Sequence, residues 1–61
     1  SRSPSYDKKE ELIRDMIERS SLDTLSDIER EEYYKKLDSI FMHDPESSDA
    51  LKKIIEESSK K

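Results

Sequence analysis

The chain has 61 residues, of which 12 are Lys or Arg, 16 are Asp or Glu and none is Cys, and its net charge is −4. This length allows one domain at most, and without cysteine neither a disulfide nor a thiolate zinc site can support it. A nucleic-acid-binding surface needs clustered Lys and Arg, whereas here nearly every basic residue has an acidic neighbour, so we expect no direct nucleic-acid binding.

The apolar residues form no run of membrane-spanning length. The longest run, residues 40–42, is far shorter than the ~20 residues that a transmembrane helix needs, so we predict no membrane insertion. The lack of cysteine fits a reducing compartment, and we expect the cytosol or the nucleus. Because the chain begins with Ser rather than Met, we interpret it as a processed product or as a segment of a longer protein.

The amino-terminal part predicts a tail and a first helix. Residues 1–5 have no apolar anchor and include Pro4, which disfavours helix at the residue before it, so we predict a flexible tail. Asp7 and Glu10 have capping-box spacing, which predicts helix 1 over residues 8–20. The apolar residues of this segment fall within one arc at helical spacing: Tyr6, Leu12, Ile13, Met16 and Ile17.

Ser26 and Glu29 form a second capping box, which predicts the start of helix 2. Its apolar arc contains Tyr33, Tyr34, Leu37, Ile40 and Phe41. Ile28 projects nearly opposite the centre of this arc. Two hypotheses stay open: helix 2 is broken or bent near residues 35–40, or it packs on both sides, with Leu25 and Ile28 against a different neighbour.

Pro45 marks a stop and a restart, because proline lacks an amide hydrogen but suits the first turn of a helix, so we predict helix 3 from a start within residues 45–49. Its apolar residues repeat the spacing of helix 1: Ala50, Leu51, Ile54 and Ile55. The chain has no glycine, so we expect no tight positive-φ turn and no hairpin. The sequence predicts an all-α, small three-helix bundle over residues 6–58, with a frayed C-terminus at 59–61.

Acidic residues precede basic residues by four positions at seven places, which puts each pair on one side of a helix and stabilises it by roughly 0.2–0.5 kcal/mol. The pairs are Glu10/Arg14, Asp15/Arg19, Glu31/Lys35, Glu32/Lys36, Asp49/Lys53, Glu56/Lys60 and Glu57/Lys61.

Catalytic and metal-binding patterns are absent from the sequence. His43 lies beside Asp44 but has no second His or Cys at ligand spacing, so we interpret it as a solvated residue at a helix end. A chain of this size without a glycine loop has little means of enclosing a dry pocket. We therefore predict no enzyme activity, no cofactor and no metal.

Several hydroxyl residues match simple patterns for phosphorylation. Ser20, Thr24 and Ser26 each precede an acidic residue by three positions, and Ser3 directly precedes a proline. Phosphate on Ser26 would strengthen a helix amino end. We interpret Ser26 as a helix cap and Ser20 as a polar surface residue.

The apolar arcs predict both a core and a partner surface. The predicted core comprises Leu12, Ile13, Met16, Ile17, Leu25, Tyr33, Leu37, Ile40, Phe41, Leu51, Ile54 and Ile55. Tyr34, Ile28 and Met42 lie at or beyond the edge of the arc of helix 2. We predict that these three side chains contact a partner, because Tyr in particular suits a place with one dry and one wet side.

The layout of residues 6–57 resembles an FF domain, a helical module of splicing and transcription proteins. Leu12 or Ile13 stands where the family has its first Phe, Leu25 stands near its Trp, and Leu51 stands near its final Phe, so the signature aromatic residues are not kept. The resemblance implies a short 3₁₀ turn between helices 2 and 3. It also implies binding of a peptide or protein in a nuclear assembly.

These patterns together predict a non-enzymatic protein–protein interaction module, a scaffold or adaptor element of a larger cytosolic or nuclear protein. The nucleus is favoured by the FF resemblance, which also suggests mRNA splicing. The alternative is a conditionally folded or self-associating helical segment, because the composition, 46% charged and 30% apolar, is near that of disordered chains. We favour a partner protein over a homo-oligomer.

Overall fold

The computed structural model describes residues 2–60, and in this range the chain forms helices and no strand. Helix α1 spans Pro4–Arg19, α2 spans Asp27–Phe41 and α3 spans Pro45–Ser58, with a 3₁₀ helix at Leu22–Thr24. The prediction of an all-α three-helix bundle is confirmed. Ser1 and Lys61 lie outside the described residues, and so do the Glu57/Lys61 pair and the ends of the predicted tail and frayed terminus.

Helix α1 begins four residues earlier than the sequence patterns predicted. The Ser3 hydroxyl caps the helix by accepting the Tyr6 N–H at 3.1 Å, and Pro4 occupies the first turn, where its missing N–H leaves no bond unmade. The predicted cap at Asp7 and the assignment of residues 4 and 5 to a flexible tail were therefore wrong. A Ser-Pro pair is itself a helix-start signal, because it supplies both the cap and a preset φ angle.

The connection between α1 and α2 contains the one left-handed residue found among residues 2–60. Ser21 has φ 55° and ψ 49°, although we expected no positive φ in a sequence without glycine. Leu22 follows it and is buried, so the turn is anchored against the helices. The 3₁₀ helix also begins here, and the expectation of a 3₁₀ turn between helices 2 and 3 was wrong.

Helix α2 has the predicted capping box: Glu29 donates its N–H to the Ser26 hydroxyl at 3.2 Å, and the Glu29 carboxylate accepts the Ser26 N–H at 3.0 Å. The helix is unbroken to Phe41, and Ile28 is exposed. A break in helix 2 and a second packed face at Ile28 were therefore wrong predictions. An isolated apolar side chain on a surface is an ordinary feature of folded proteins.

Residues 42–44 connect α2 to α3, and the predicted restart at Pro45 is confirmed. The Asp44 carboxylate caps α3 by accepting the Glu46 N–H at 3.2 Å. Ile17 and Ser58, near the carboxyl ends of α1 and α3, line one groove with Arg30 near the amino end of α2, so α2 runs antiparallel to both. Helices α1 and α3 run in the same direction, because Ser5 contacts Glu46 at their starts.

The core is centred on α3. Ala50 and Leu51 are fully buried, and the other buried side chains that meet them are Tyr6, Ile13, Leu37 and Ile54. Helices α1 and α2 both pack mainly against α3 and approach each other least.

The predicted core residues divide into three groups. Ile13, Leu37, Leu51 and Ile54 are buried, and the half-buried ones are Ile17, Leu25, Tyr33, Phe41 and Ile55. The prediction was wrong for Leu12, Met16 and Ile40, which are 54%, 41% and 65% exposed. An apolar arc of about 140° is wider than the strip that one main neighbour covers, so residues at its edge remain in water.

Candidate protein-binding surfaces

Ion pairs between helices identify the side of α1 that faces α3. The Lys53 ammonium lies 2.9 Å from the Glu10 carboxylate, and the Arg14 guanidinium lies 2.6 Å from the Glu57 carboxylate. The hydrogen bond from Lys53, with a further one from Arg14, holds the pKa of Glu10 below its ordinary value although partial desolvation opposes this. Glu10 and Arg14 therefore mark the α3-facing side of α1 in its middle turns.

A second polar cluster joins the amino ends of α1 and α3, and we name it the N-terminal clamp: Ser3, Ser5, Lys9, Asp44 and Glu46. The Lys9 ammonium lies 2.9 Å from the Asp44 carboxylate and 3.1 Å from the Glu46 carboxylate. Ser3 and Ser5 donate their hydroxyl hydrogens to the two oxygens of Glu46 at 2.6 and 2.7 Å. The hydrogen bonds from Ser3, Ser5 and Lys9 lower the pKa of Glu46, and the one from Ser3 contributes most. The hydrogen bond from Lys9 is the main cause that lowers the pKa of Asp44.

The predicted pairs within single helices form only in part. Glu10/Arg14, Asp15/Arg19 and Glu56/Lys60 are ion pairs at 3.1, 3.7 and 3.6 Å. Among the described residues, the remaining predicted pairs make no ion pair: Glu31/Lys35, Glu32/Lys36 and Asp49/Lys53. Lys53 instead reaches across to α1, where its partner is less exposed to water, and exposed pairs gain too little to order their long side chains.

Leu12 and Met16 lie on the side of α1 away from α3. Each follows Glu10 or Arg14 by two positions, which is a rotation of about 160° from that α3-facing side when successive residues turn by 100°. Met16 is only about 60° from the buried Ile13, so it borders the core. In a three-helix arrangement, helix geometry places a residue on this flank of α1 nearer to α2 than to α3, with Leu12 further from the core than Met16.

Ile40 lies on the corresponding flank of α2. Asp38 and Tyr34 border a groove together with Ile55 of α3, so they mark the α3-facing side of α2. Ile40 follows Asp38 by two positions, about 160° around the helix, and the half-buried Tyr33 lies within about 20° of Ile40. The exposed apolar side chains therefore flank the seam where two helices pack least, and we name this surface the α1–α2 edge: Leu12, Met16, Tyr33 and Ile40.

Tyr34 occupies a different surface, between two shallow grooves. A groove of about 380 Å³ at the carboxyl end of α1 is lined by Ile17, Leu22, Asp23, Arg30, Tyr34 and Ser58. A second groove, of about 330 Å³, is lined by Glu31, Tyr34, Lys35, Asp38 and Ile55. The Tyr34 ring is half-buried against the core and 6.4 Å from the Tyr33 ring, so it is a structural side chain with one accessible edge.

The three side chains predicted to contact a partner do not form one surface. Ile28 and Met42 are 70% and 63% exposed, but they lie near opposite ends of α2, about 21 Å apart along its axis. Tyr34 faces α3 and lies away from both. The sequence reasoning missed the α1–α2 edge because it placed all four of its members in the core.

Other classes of site find little support in this chain. Across residues 2–60 there is no cluster of His, Asp and Glu able to hold a metal ion, and no helix in that range is long and apolar enough to cross a membrane. His43 is exposed in the connection between α2 and α3. No protein-family model, curated protein or solved structure matches the chain, so its function is argued from its surface chemistry.

Proposed function

We propose that the chain is a non-enzymatic protein-interaction domain that binds an amphipathic helix of another protein along the α1–α2 edge. The observation that carries this proposal is the exposure of Leu12, Met16 and Ile40 on the two flanks of one seam. Single exposed apolar residues are ordinary, whereas several that border one gap between antiparallel helices are typical of a docking surface.

The geometry favours a helix as the partner. Two antiparallel helices with apolar side chains on facing flanks form a groove that an apolar helix face can fill, which completes a four-helix arrangement. Full burial of a Leu, Ile or Met side chain contributes about 1.5–3 kcal/mol, so three partly exposed ones offer a moderate binding energy.

Charge favours a partner that is a different protein and is neutral or basic. Each copy of this chain carries a net charge of −4, so two copies repel each other at low ionic strength. A helix with Lys or Arg beside its apolar stripe complements the net negative charge of the chain.

The proposal is tested by titrating the ¹⁵N-labelled chain with a synthetic 21-residue helix that has Leu on one face and Lys on the other. We expect amide shifts centred on the α1–α2 edge, and at least tenfold weaker binding by the variant carrying both Leu12→Ser and Ile40→Ser. The control Ile28→Ser removes an equally exposed apolar side chain from another face and should bind normally. Shifts centred elsewhere, or equal loss in the control, would refute the proposal.

Self-association is separated from partner binding by sedimentation of the chain alone. We expect a monomer over a wide concentration range, because the net charge of −4 on each copy opposes self-association. The α1–α2 edge of a monomer is free for a partner. A dimer that dissociates in the Leu12→Ser, Ile40→Ser variant would identify a second copy as the occupant and overturn the proposed partner.

The cellular setting belongs to the same proposal. Composition supports a place in the cytosol or the nucleus, and the FF resemblance supports a role in splicing or transcription. The two grooves beside Tyr34 favour a second candidate surface for an apolar side chain of a peptide. In the same titration, amide shifts centred on Tyr34 would favour that surface.

A further inference from the structure

Ser3 has two roles at the amino end of the fold. Its oxygen accepts the Tyr6 N–H and so caps α1, while its hydroxyl hydrogen goes to the Glu46 carboxylate of α3 at 2.6 Å. The residue is exposed and its backbone is extended, with φ −69° and ψ 154°, and it directly precedes Pro4. Ser3 is therefore an exposed serine directly before a proline, and it also makes a hydrogen bond that joins α1 to α3.

We infer that Ser3 is a phosphorylation site for a proline-directed Ser/Thr protein kinase, and that the phosphate separates the first turn of α1 from α3. In the reaction the Ser3 Oγ forms a bond to the γ-phosphorus of ATP, and the bond from that phosphorus to the β,γ-bridging oxygen breaks. The hydroxyl proton passes to a base of the kinase, and ADP leaves. Access needs only fraying of the terminal turn, which is among the least costly openings of a fold.

Phosphate on Ser3 would replace a hydrogen bond in the N-terminal clamp with repulsion between negative charges. Ser3 loses the hydrogen that it donates to Glu46 and gains a charge of about −1.5 to −2 beside that carboxylate. Asp44 adds a further carboxylate next to it, and Lys9 is the one clamp member that is positively charged. The clamp already has one positive charge against two carboxylates, so the phosphate increases an existing excess of negative charge.

Helix α1 itself should survive this change. A phosphate at an N-cap accepts the first amide hydrogens of the helix and interacts favourably with its dipole, and Arg2 lies close enough to contribute, with its guanidinium 4.2 Å from the centre of the Tyr6 ring. The loss is therefore confined to docking between α1 and α3. Tyr6, which is buried where these helix starts meet, is the side chain that would be uncovered.

The matched control is Ser26, the cap of α2. Ser26 is also exposed, and its hydroxyl also accepts an N–H from the first turn of its own helix, that of Glu29. Among residues 2–60, its side chain makes no hydrogen bond to a carboxylate of another helix. Phosphate on Ser26 should therefore leave the fold intact or stabilise it.

The test uses the full 61-residue chain in three forms: unmodified, phosphorylated at Ser3, and phosphorylated at Ser26, the last two made by chemical synthesis. We expect the thermal midpoint to fall by about 4–8 °C with phosphate on Ser3 and not with phosphate on Ser26. Amide exchange should accelerate at residues 6–9 and 46–48 while helicity is retained. In a Glu46→Gln background the fall should shrink by at least half.

Enzymatic modification is tested with a purified proline-directed kinase and ATP, using the folded chain and a peptide of residues 1–8. We expect phosphate on Ser3 in both, and none at that site in Ser3→Ala. Modification of the peptide but not of the folded chain would overturn the proposal. An unchanged or raised midpoint, or an equal fall in the Glu46→Gln background, would also overturn it.

Discussion

Arg14 and Glu57 are 43 positions apart in the chain, and their charged groups lie 2.6 Å apart. This contact and the bond between Glu10 and Lys53 mark the rotation of α1 against α3. The rotation in turn decides which apolar residues of α1 enter the core, so Ile13 is buried while Leu12 stays in water. The exposed surface proposed for partner binding is thus a consequence of how α1 and α3 align.

The Glu10–Lys53 pair should contribute measurably to stability. The Glu10 side chain is only 17% exposed, whereas Asp15 and Arg19, which form an exposed pair, are 59% and 83% exposed. In a double-mutant cycle with Glu10→Gln and Lys53→Gln, we expect a coupling of about 0.5–1 kcal/mol from urea unfolding. The same cycle with Asp15→Asn and Arg19→Gln should give less than about 0.3 kcal/mol. Equal couplings would mean that burial does not distinguish the two pairs.

The N-terminal clamp should make stability depend on pH in the acid range. The pKa of Asp44 and of Glu46 lies below the ordinary values of 3.8 and 4.5, because Lys9 and Ser3 donate hydrogen bonds to the charged forms. As the pH falls, these carboxylates therefore bind protons in the unfolded chain before they do so in the folded chain. The stability that the clamp contributes is complete above pH 4.5 and is lost as the pH falls through the pKa values of Asp44 and Glu46 in the folded chain. We expect the urea midpoint to drop between pH 5 and pH 3.

Glu46→Gln provides the control for this pH effect. It removes one titrating carboxyl while keeping a similar shape, so the drop between pH 5 and pH 3 should become smaller. The pH dependence of stability has the opposite sign at alkaline pH. Asp44 and Glu46 raise the pKa of Lys9 above 10.5, so the stability that Lys9 contributes persists up to pH 10.5 and is lost at higher pH. A pH profile that Glu46→Gln leaves unchanged would contradict a role for the clamp.

Features that depend on neighbours in sequence could be predicted, and those that depend on helix alignment could not. The capping box of Ser26 and the restart at Pro45 are set within a few residues, and both are found in the structure. The cap at Ser3 is equally local and could have been predicted from the Ser-Pro pair. The exposure of Ile40 could not, because its arc is continuous with that of the buried Leu37 and only the position of α3 separates them.

Leu51 and Leu12 should differ sharply in their effect on stability. Leu51 is fully buried at the centre of α3, so Leu51→Ala removes packed methyl groups and should destabilise the fold by about 2–5 kcal/mol. Leu12→Ala, the same change at an exposed position of the α1–α2 edge, should alter stability by no more than about 0.5 kcal/mol. Urea unfolding followed by circular dichroism measures both. A large loss for Leu12→Ala would show that this side chain supports the core.

Substitution of Ser21 by glycine should stabilise the fold of this glycine-free chain. Its φ of 55° costs a residue with a β-carbon about 1–2 kcal/mol, whereas glycine adopts it freely and loses about 0.5–1 kcal/mol through its more flexible unfolded state. Ser21→Gly should therefore raise the free energy of unfolding by about 0.5–1 kcal/mol.

The neighbouring Ser20 supplies the control for this prediction. It has a φ of −78°, which any residue adopts, and its hydroxyl donates to the Ile17 carbonyl at 2.6 Å. Ser20→Gly should therefore lower the free energy of unfolding, since it adds flexibility to the unfolded chain and removes a hydrogen bond. Thermal unfolding of the two variants should give midpoint shifts of opposite sign. Shifts of the same sign would show that the left-handed turn at Ser21 stores no strain that glycine can relieve.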